Sequence, residues 1–238
     1  MSSGDATSDK PLLRSFGRRR GRKLSPRQDT LMKDVLPRLS LDISAPLPGD
    51  PHQLFEANVS EIWLEIGFGG AEHLLWQAQA HPDVGLIGAE PFEDGVVKAL
   101  DGIATNGLKN VRLHADDVRP LLSWLAPATL TRAFVLFPDP WPKRRHAKRR
   151  LVSAALMAEL ARVVKPGGEL RLGTDIASYA GEMLLAVRRD GHFCWTASEP
   201  SDWRVRPADW PQTRYEAKAR REGRTPSFFR LQRSMVNA

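Results

Sequence analysis

The chain of 238 residues is long enough to bury one full core, and its 42% hydrophobic content argues against wholesale disorder. A formal net charge of +7 favours a polyanionic partner, with nucleic acid or an acidic membrane surface as the leading options. The single cysteine, Cys194, excludes an internal disulfide and a thiolate metal cluster, and fits a reducing cytoplasm.

At the amino end, Met1-Ser-Ser-Gly-Asp-Ala lacks the apolar core of a signal peptide. Apolar runs such as Phe134–Phe137 fall far short of the roughly 20 residues that cross a bilayer, so no membrane partner is expected. Arg14–Arg27 is a basic arm broken by glycines, readable either as a solvated tail or as a nucleic-acid-binding arm. The breakers Pro46, Pro48, Gly49 and Pro51 then separate an expected flexible arm, residues 1–50, from a domain over 51–238. From Ile62 the pattern is regular. Strands are expected at Ile62–Ile66, Val84–Ala89, Val111–His114, Ala133–Phe137 and Glu169–Gly173, and helices at Glu72–Ala80, Phe92–Asn106, Val118–Trp124, Leu151–Val164 and Ala177–Asp190. Lys165-Pro-Gly-Gly168 is expected to turn one helix into the next strand, and Phe193–Glu199 with Ser227–Arg233 to form an antiparallel pair at one edge. The expected architecture is α/β: a Rossmann-like, mostly parallel sheet of about seven strands, with helices on both faces and an antiparallel edge strand.

The first strand runs into Gly67-Phe-Gly-Gly-Ala-Glu72. Glycines at Gly67 and Gly69 let the backbone turn sharply and approach a ligand, but the dinucleotide fingerprint needs a third glycine where Glu72 stands. With Glu65 just before it, the loop suits a cationic ligand better than a diphosphate. Glu90 closes the second strand, where an acid can accept from both ribose hydroxyls, and Asp117 follows the third, where it can accept from an adenine amino group. Each acid taken alone can equally be a helix cap or a surface charge. Their order at successive strand ends favours a site, and together they resemble the S-adenosylmethionine site of class I methyltransferases.

The fourth strand delivers Pro138-Asp139-Pro140-Trp141 to the same crevice, the prolines restricting the backbone around the carboxylate. An exocyclic amine acceptor would call for an Asn-Pro-Pro-Tyr-like tetrad, which this is not. A ring nitrogen with a free lone pair, such as guanine N7, needs no base. There a carboxylate would offset developing charge and accept from the guanine N1–H and amino group.

These features resemble the bacterial tRNA (guanine-N7)-methyltransferase family, from the arm at Arg14 to nearly the end of the chain. The most specific pieces are Phe137-Pro-Asp-Pro-Trp-Pro-Lys143 with the basic run behind it, Gly173-Thr-Asp175, and Thr213-Arg-Tyr-Glu216. The resemblance implies S-adenosylmethionine as donor and a guanine in the variable loop of tRNA as acceptor; the six histidines form no ligand-spaced cluster, so no metal is expected. It matches Glu65, Glu90, Asp117 and Asp139 to cofactor-contacting positions, Asp139 also to the catalytic position, and Lys143, Asp175, Thr213, Arg214, Tyr215 and Glu216 to substrate binding. Arg145, His146, Lys148, Arg149 and Arg150 match the stretch assigned to RNA contact. The family often has Lys-Phe-Glu where this chain has Arg214-Tyr215-Glu216, and nothing is carried over beyond Glu216. Trp141 and Tyr215 are both candidates to stack on the target base. Three rivals remain: a nicotinamide-dependent dehydrogenase, a non-enzymatic RNA-binding protein on the same scaffold, and a methyltransferase acting on another RNA base. No obligate protein partner is indicated.

Overall fold

The computed structural model describes residues 19–21 and 23–235. Its centre is a seven-stranded sheet in the order β3-β2-β1-β4-β5-β7-β6. The strands are β1 Glu61–Ile66, β2 Val84–Ala89, β3 Val111–His114, β4 Leu130–Leu136, β5 Val164–Thr174, β6 Phe193–Trp195 and β7 Ser227–Arg233. The first five pair in parallel, while β7 lies antiparallel to both β5 and β6. The near-continuous burial of β1, β2 and β4 follows from having helices on both faces.

The helices are α1 Pro26–Thr30, α2 Leu36–Leu39, α3 Glu72–Ala80, α4 Glu93–Asn106, α5 Val118–Trp124, α6 Ala154–Val163, α7 Ala177–Asp190, α8 Ser201–Arg204 and α9 Arg214–Arg221. One face of the sheet packs Ile62, Leu64, Ile66 and Val135 against residues of α5, α6 and α7. The other packs Trp63, Phe134 and Leu136 against α3, α4 and Trp210. Local chemistry sets the ends. Asp117 caps α5 by accepting from Arg119 N, Ser153 caps α6, and Gly107 and Gly191 stop α4 and α7 in the left-handed region.

Three expectations differ from the structure. The expected arm is folded from Pro26 onward: Leu31, Met32, Val35 and Leu36 pack on the α3–α4 face, Leu39 is buried, and Leu41 N donates to Leu113 O beside β3. Burial of this apolar stripe outweighs the breakers at 46–51, so the folded unit begins well before residue 51. Arg14–Arg18 and Arg22, part of the expected basic arm, lie outside the described residues. Lys165-Pro-Gly-Gly168 is no separate turn but a bulge inside β5, where pairing jumps from Leu130↔Val164 to Arg132↔Glu169. The strand expected at Phe193–Glu199 ends at Trp195, because Asp202 captures the N–H groups of Ser198 and Glu199.

Candidate functional site

In open α/β sheets a crevice forms beyond the strands' carboxyl ends, where the connections diverge. Here β1 continues to β2 on one side and is flanked by β4 on the other, so the glycine loop and the Pro-Asp-Pro-Trp loop share that crevice. Gly67 and Gly69 have φ of 73° and 54°, and Ala71, at the start of α3, is also left-handed. A side chain at Gly67 would meet nothing within 4 Å, so the loop backbone lies open to a ligand. The close approach that the dinucleotide fingerprint assigns to a third glycine occurs instead at Gly95 on α4. A Cβ there would stand 2.3 Å from Gly69 O. Glu72 points outward and pairs with Arg214 at 2.9 Å.

Glu90 is 8% exposed. Its carboxylate accepts from Gly69 N at 2.8 Å and Phe92 N at 2.9 Å, tying the glycine loop to the start of α4. Burial pushes its pKa above the ordinary carboxylate value; the two N–H groups oppose the shift, and nearby Asp139 and Glu65 add to it. Glu65 is 2% exposed and receives His73 Nδ1 at 2.8 Å. Asp117 is committed in this conformation to capping α5 and to a two-point contact with Arg119. Net, its carboxyl lies below the usual range: burial is the largest influence and works upward, but the Arg119 hydrogen bonds and charge outweigh it. Arg19, from the basic arm, pairs with neighbouring Asp116 at 2.6 Å.

Asp139 is exposed, on a loop whose non-glycine residues Phe137 and Trp141 have φ of 49° and 41°. Left-handed conformations at bulky residues are costly and persist only where the surroundings impose them. Part of that restraint is visible: Phe137 N donates to Gly173 O at 2.7 Å, and Arg150 Nε donates to Pro140 O at 2.7 Å. Arg150 is 8% exposed, pairs with Glu182 and lies over the Tyr179 ring. It braces the loop from beneath, and its guanidinium is engaged within the chain rather than held out to solvent. Lys143, Arg145 and Lys148 are exposed. Arg149 lies over the Trp141 ring at 4.9 Å. Desolvation and the cations Arg149, Arg145 and Lys143 hold His146 below the ordinary histidine value.

The segment from Thr213 to Glu216 meets the crevice from the far side. Thr213 caps α9, and a Cβ at Gly69 would come within 3.0 Å of the Tyr215 ring. The Tyr215 phenol is shifted upward, mainly by burial, with Glu90 and Asp139 among its neighbours. Glu216 is only 1% exposed and is held by Arg206 and Arg220. Asp175 pairs with Arg224 at 2.6 Å. The structure therefore gathers the glycine loop, Glu90, Asp139 and Tyr215 around one crevice, whereas Arg150 is drawn into the interior. Sequence reasoning missed Gly95, His73, Gln77 and Arg171, whose roles arise from contacts between elements and leave no local motif. A surface cavity of about 570 Å³ lies between Thr196–Pro207 and Arg230 and is lined by none of the expected site residues.

The sheet order and the crevice define a class I methyltransferase fold. Solved structures agree: the 16S rRNA methyltransferase KamB aligns with a TM-score of 0.53 at 15% identity, covering 74% of this chain and 89% of that one. The antibiotic-resistance methyltransferase Kmr gives 0.51 at 22%, covering 76% and 90%. The cyclase SpnF gives 0.52 at 14%, covering 75% and 76%, so the fold by itself does not set the reaction. A family model described as "Putative methyltransferase" matches residues 60–228. The tRNA (guanine-N(7)-)-methyltransferase of Rhodospirillum rubrum is 49% identical over 92% of this chain and 88% of its own length. That of Hyphomonas neptunium is 52% identical over 87% and 93%. The chain belongs to the tRNA (guanine-N(7)-)-methyltransferase family. No helix among the described residues is long and apolar enough to cross a membrane.

Proposed function

We propose that the chain transfers a methyl group from S-adenosylmethionine to N7 of a guanine in the variable loop of tRNA, acting without a metal. One observation carries most weight: Asp139 and Glu65 each repel the Glu90 carboxylate beside an open glycine loop, and burial adds to that strain. A cation between them relieves that repulsion, whereas a pyrophosphate would add to it, which disfavours a nicotinamide dinucleotide.

The residues fit the donor by their chemistry. Glu90 accepts from the ribose hydroxyls, the backbone at Gly67 and Gly69 borders the chain that carries sulfur, and Asp117 serves the adenine side with a carboxylate that also holds Arg119. When bound, the donor supplies an electrophilic methyl on a sulfonium, which leaves as a neutral thioether. Guanine N7 attacks with its own lone pair, so no residue has to remove a proton. Asp139 orients the base and offsets the positive charge that passes to the purine. Tyr215 borders the glycine loop and offers a flat surface for the extruded base. Lys143, Asp175, Arg214 and Tyr215 meet the acceptor nucleotide, with Thr213 and the buried Glu216 holding the segment that carries the last two, while Arg145, Lys148 and Arg149 meet phosphates.

The test is incubation of purified protein with labelled S-adenosylmethionine and unmodified tRNA, followed by nucleoside analysis and mapping of the label. 7-Methylguanosine in the variable loop is expected. Its absence, with tRNA binding intact, would favour the non-enzymatic reading. Asp139→Ala is expected to abolish transfer while tRNA binding persists; unchanged turnover would remove Asp139 from the chemistry.

A further inference from the structure

Beneath the glycine loop runs a buried chain of polar contacts that none of the roles above requires. Glu65 accepts from His73 Nδ1 at 2.8 Å, His73 Nε2 meets Gln77 Nε2 at 3.0 Å, and Gln77 Nε2 donates to Asp209 O at 3.0 Å. The Asp209 carboxylate in turn accepts from Arg171 Nη2 at 2.6 Å. His73 and Gln77 are 2% and 0% exposed, and the imidazole lies edge-on to Phe134 and Trp210.

The proton inventory gives this chain a direction. A glutamine Nε2 has two hydrogens and no lone pair to offer. One hydrogen goes to Asp209 O, and the other must go to His73 Nε2, which then acts as acceptor. His73 is therefore neutral with its proton on Nδ1, and that proton points at Glu65. An imidazolium would present Nε2–H to the Gln77 amino group and break the link to Asp209. Gln77 Oε1 is buried with no hydrogen-bond partner among the described residues, a desolvation cost that an apolar residue would avoid.

The two ends of the chain belong to the two halves of the reaction. Glu65 leads into the glycine loop. Asp209 precedes Thr213, the cap of α9, whose Arg214 pairs with Glu72 and whose Tyr215 packs against Gly69. We propose that His73 and Gln77 are positioning residues that hold the Glu65 carboxylate and the Asp209–Glu216 segment in one fixed relation, coupling the donor pocket to the acceptor nucleotide. This rests on the methyltransferase reading above.

The asymmetry of the chain provides the test. Gln77→Leu removes the bond to Asp209 but leaves His73 Nδ1 on Glu65. His73→Phe removes both links and keeps a ring between Phe134 and Trp210. Kinetics would be measured on tRNA transcript, with S-adenosylhomocysteine affinity by calorimetry and the folded fraction by thermal melting. Gln77→Leu is expected to raise KM for tRNA about tenfold, equivalent to about 1.4 kcal/mol, with product affinity within about twofold of wild type. His73→Phe is expected to raise KM for tRNA and also weaken S-adenosylhomocysteine about tenfold. A merely structural role would lower kcat with the folded fraction and leave both constants alone. That result, or an equal effect of Gln77→Leu on both ligands, overturns the coupling. If Gln77→Leu melts early, Gln77→Met carries the same comparison. Wild-type protein that binds S-adenosylhomocysteine but forms no 7-methylguanosine would instead sink the underlying reading.

Discussion

Gly95→Ala puts the geometry of the glycine loop to a quantitative test. A Cβ at Gly95 would lie 2.3 Å from Gly69 O and 3.0 Å from Glu90 Cγ, so the added methyl meets backbone that cannot rotate away. Either α4 or the loop must retreat, stretching the Glu90–Gly69 bond of 2.8 Å. Overpacking of this kind costs about 1–3 kcal/mol. Alanine returns about 1 kcal/mol through helix propensity, leaving a net loss of about 0–2 kcal/mol. For a chain of this size that lowers Tm by up to roughly 8 °C. Because the displaced loop is the one that faces the donor, S-adenosylhomocysteine affinity should fall about tenfold or more. Gly181 in α7 is the control: its Cβ would meet nothing within 4 Å, so Gly181→Ala should stabilise by about 0.4–1 kcal/mol and leave affinity unchanged. Calorimetric titration and thermal melting of both variants decide the matter. If Gly95→Ala behaves like Gly181→Ala, the close approach does not set the loop.

Arg150→Ala should destabilise by about 1–3 kcal/mol, because it strips the Pro140 carbonyl of its donor while half-exposed Glu182 can turn to water. Turnover should fall further than stability explains, and a melting point indistinguishable from wild type would refute the bracing role. Glu90 binds its proton more tightly in the folded chain than in the unfolded one, so its ionisation opposes folding once pH rises above the unfolded value of about 4.3. Glu90→Gln gives up one of the two acceptor oxygens at every pH, so the expected sign is in the pH dependence: its melting temperature relative to wild type should rise between about pH 4 and pH 7–8, while donor affinity is lost. A pH-independent difference would refute this. Replacing Arg145 and Lys148 by alanine should weaken tRNA binding and flatten its log–log salt dependence by roughly 0.7–0.9 per phosphate left without its cation; an unaltered slope would return these cations to a solvated surface.

The strand–helix alternation was legible because its causes are local. β2 is an uncharged, largely apolar run, α5 has its Asp117 cap and α7 its Gly191 stop, and the limits of these three, like those of β3 and α3, coincide with those read from the sequence. Acids at successive strand ends were legible as well, since topology places strand ends together whatever the side chains between them. The 26–39 helical stretch was less visible, because its apolar stripe acquires meaning only from the α3–α4 face it covers.

The sequence by itself determined the sheet architecture, the acidic crevice and, through the Pro-Asp-Pro-Trp and Thr-Arg-Tyr-Glu motifs, the chemistry to test. Which members of a motif face the crevice was decided only by tertiary packing. Arg150 reads as one more cation in a basic run, yet its neighbours pull it inward to hold Pro140. Asp117 reads as a ligand acid, yet its carboxylate also caps α5 and holds Arg119. The third close-packing position was sought at Glu72 and is found at Gly95, on a different helix. His73 and Gln77 join Glu65 to Asp209, with 132 positions separating Gln77 from Asp209 along the chain. Burial and long-range hydrogen bonding depend on what arrives from elsewhere in the chain, and no local pattern records that.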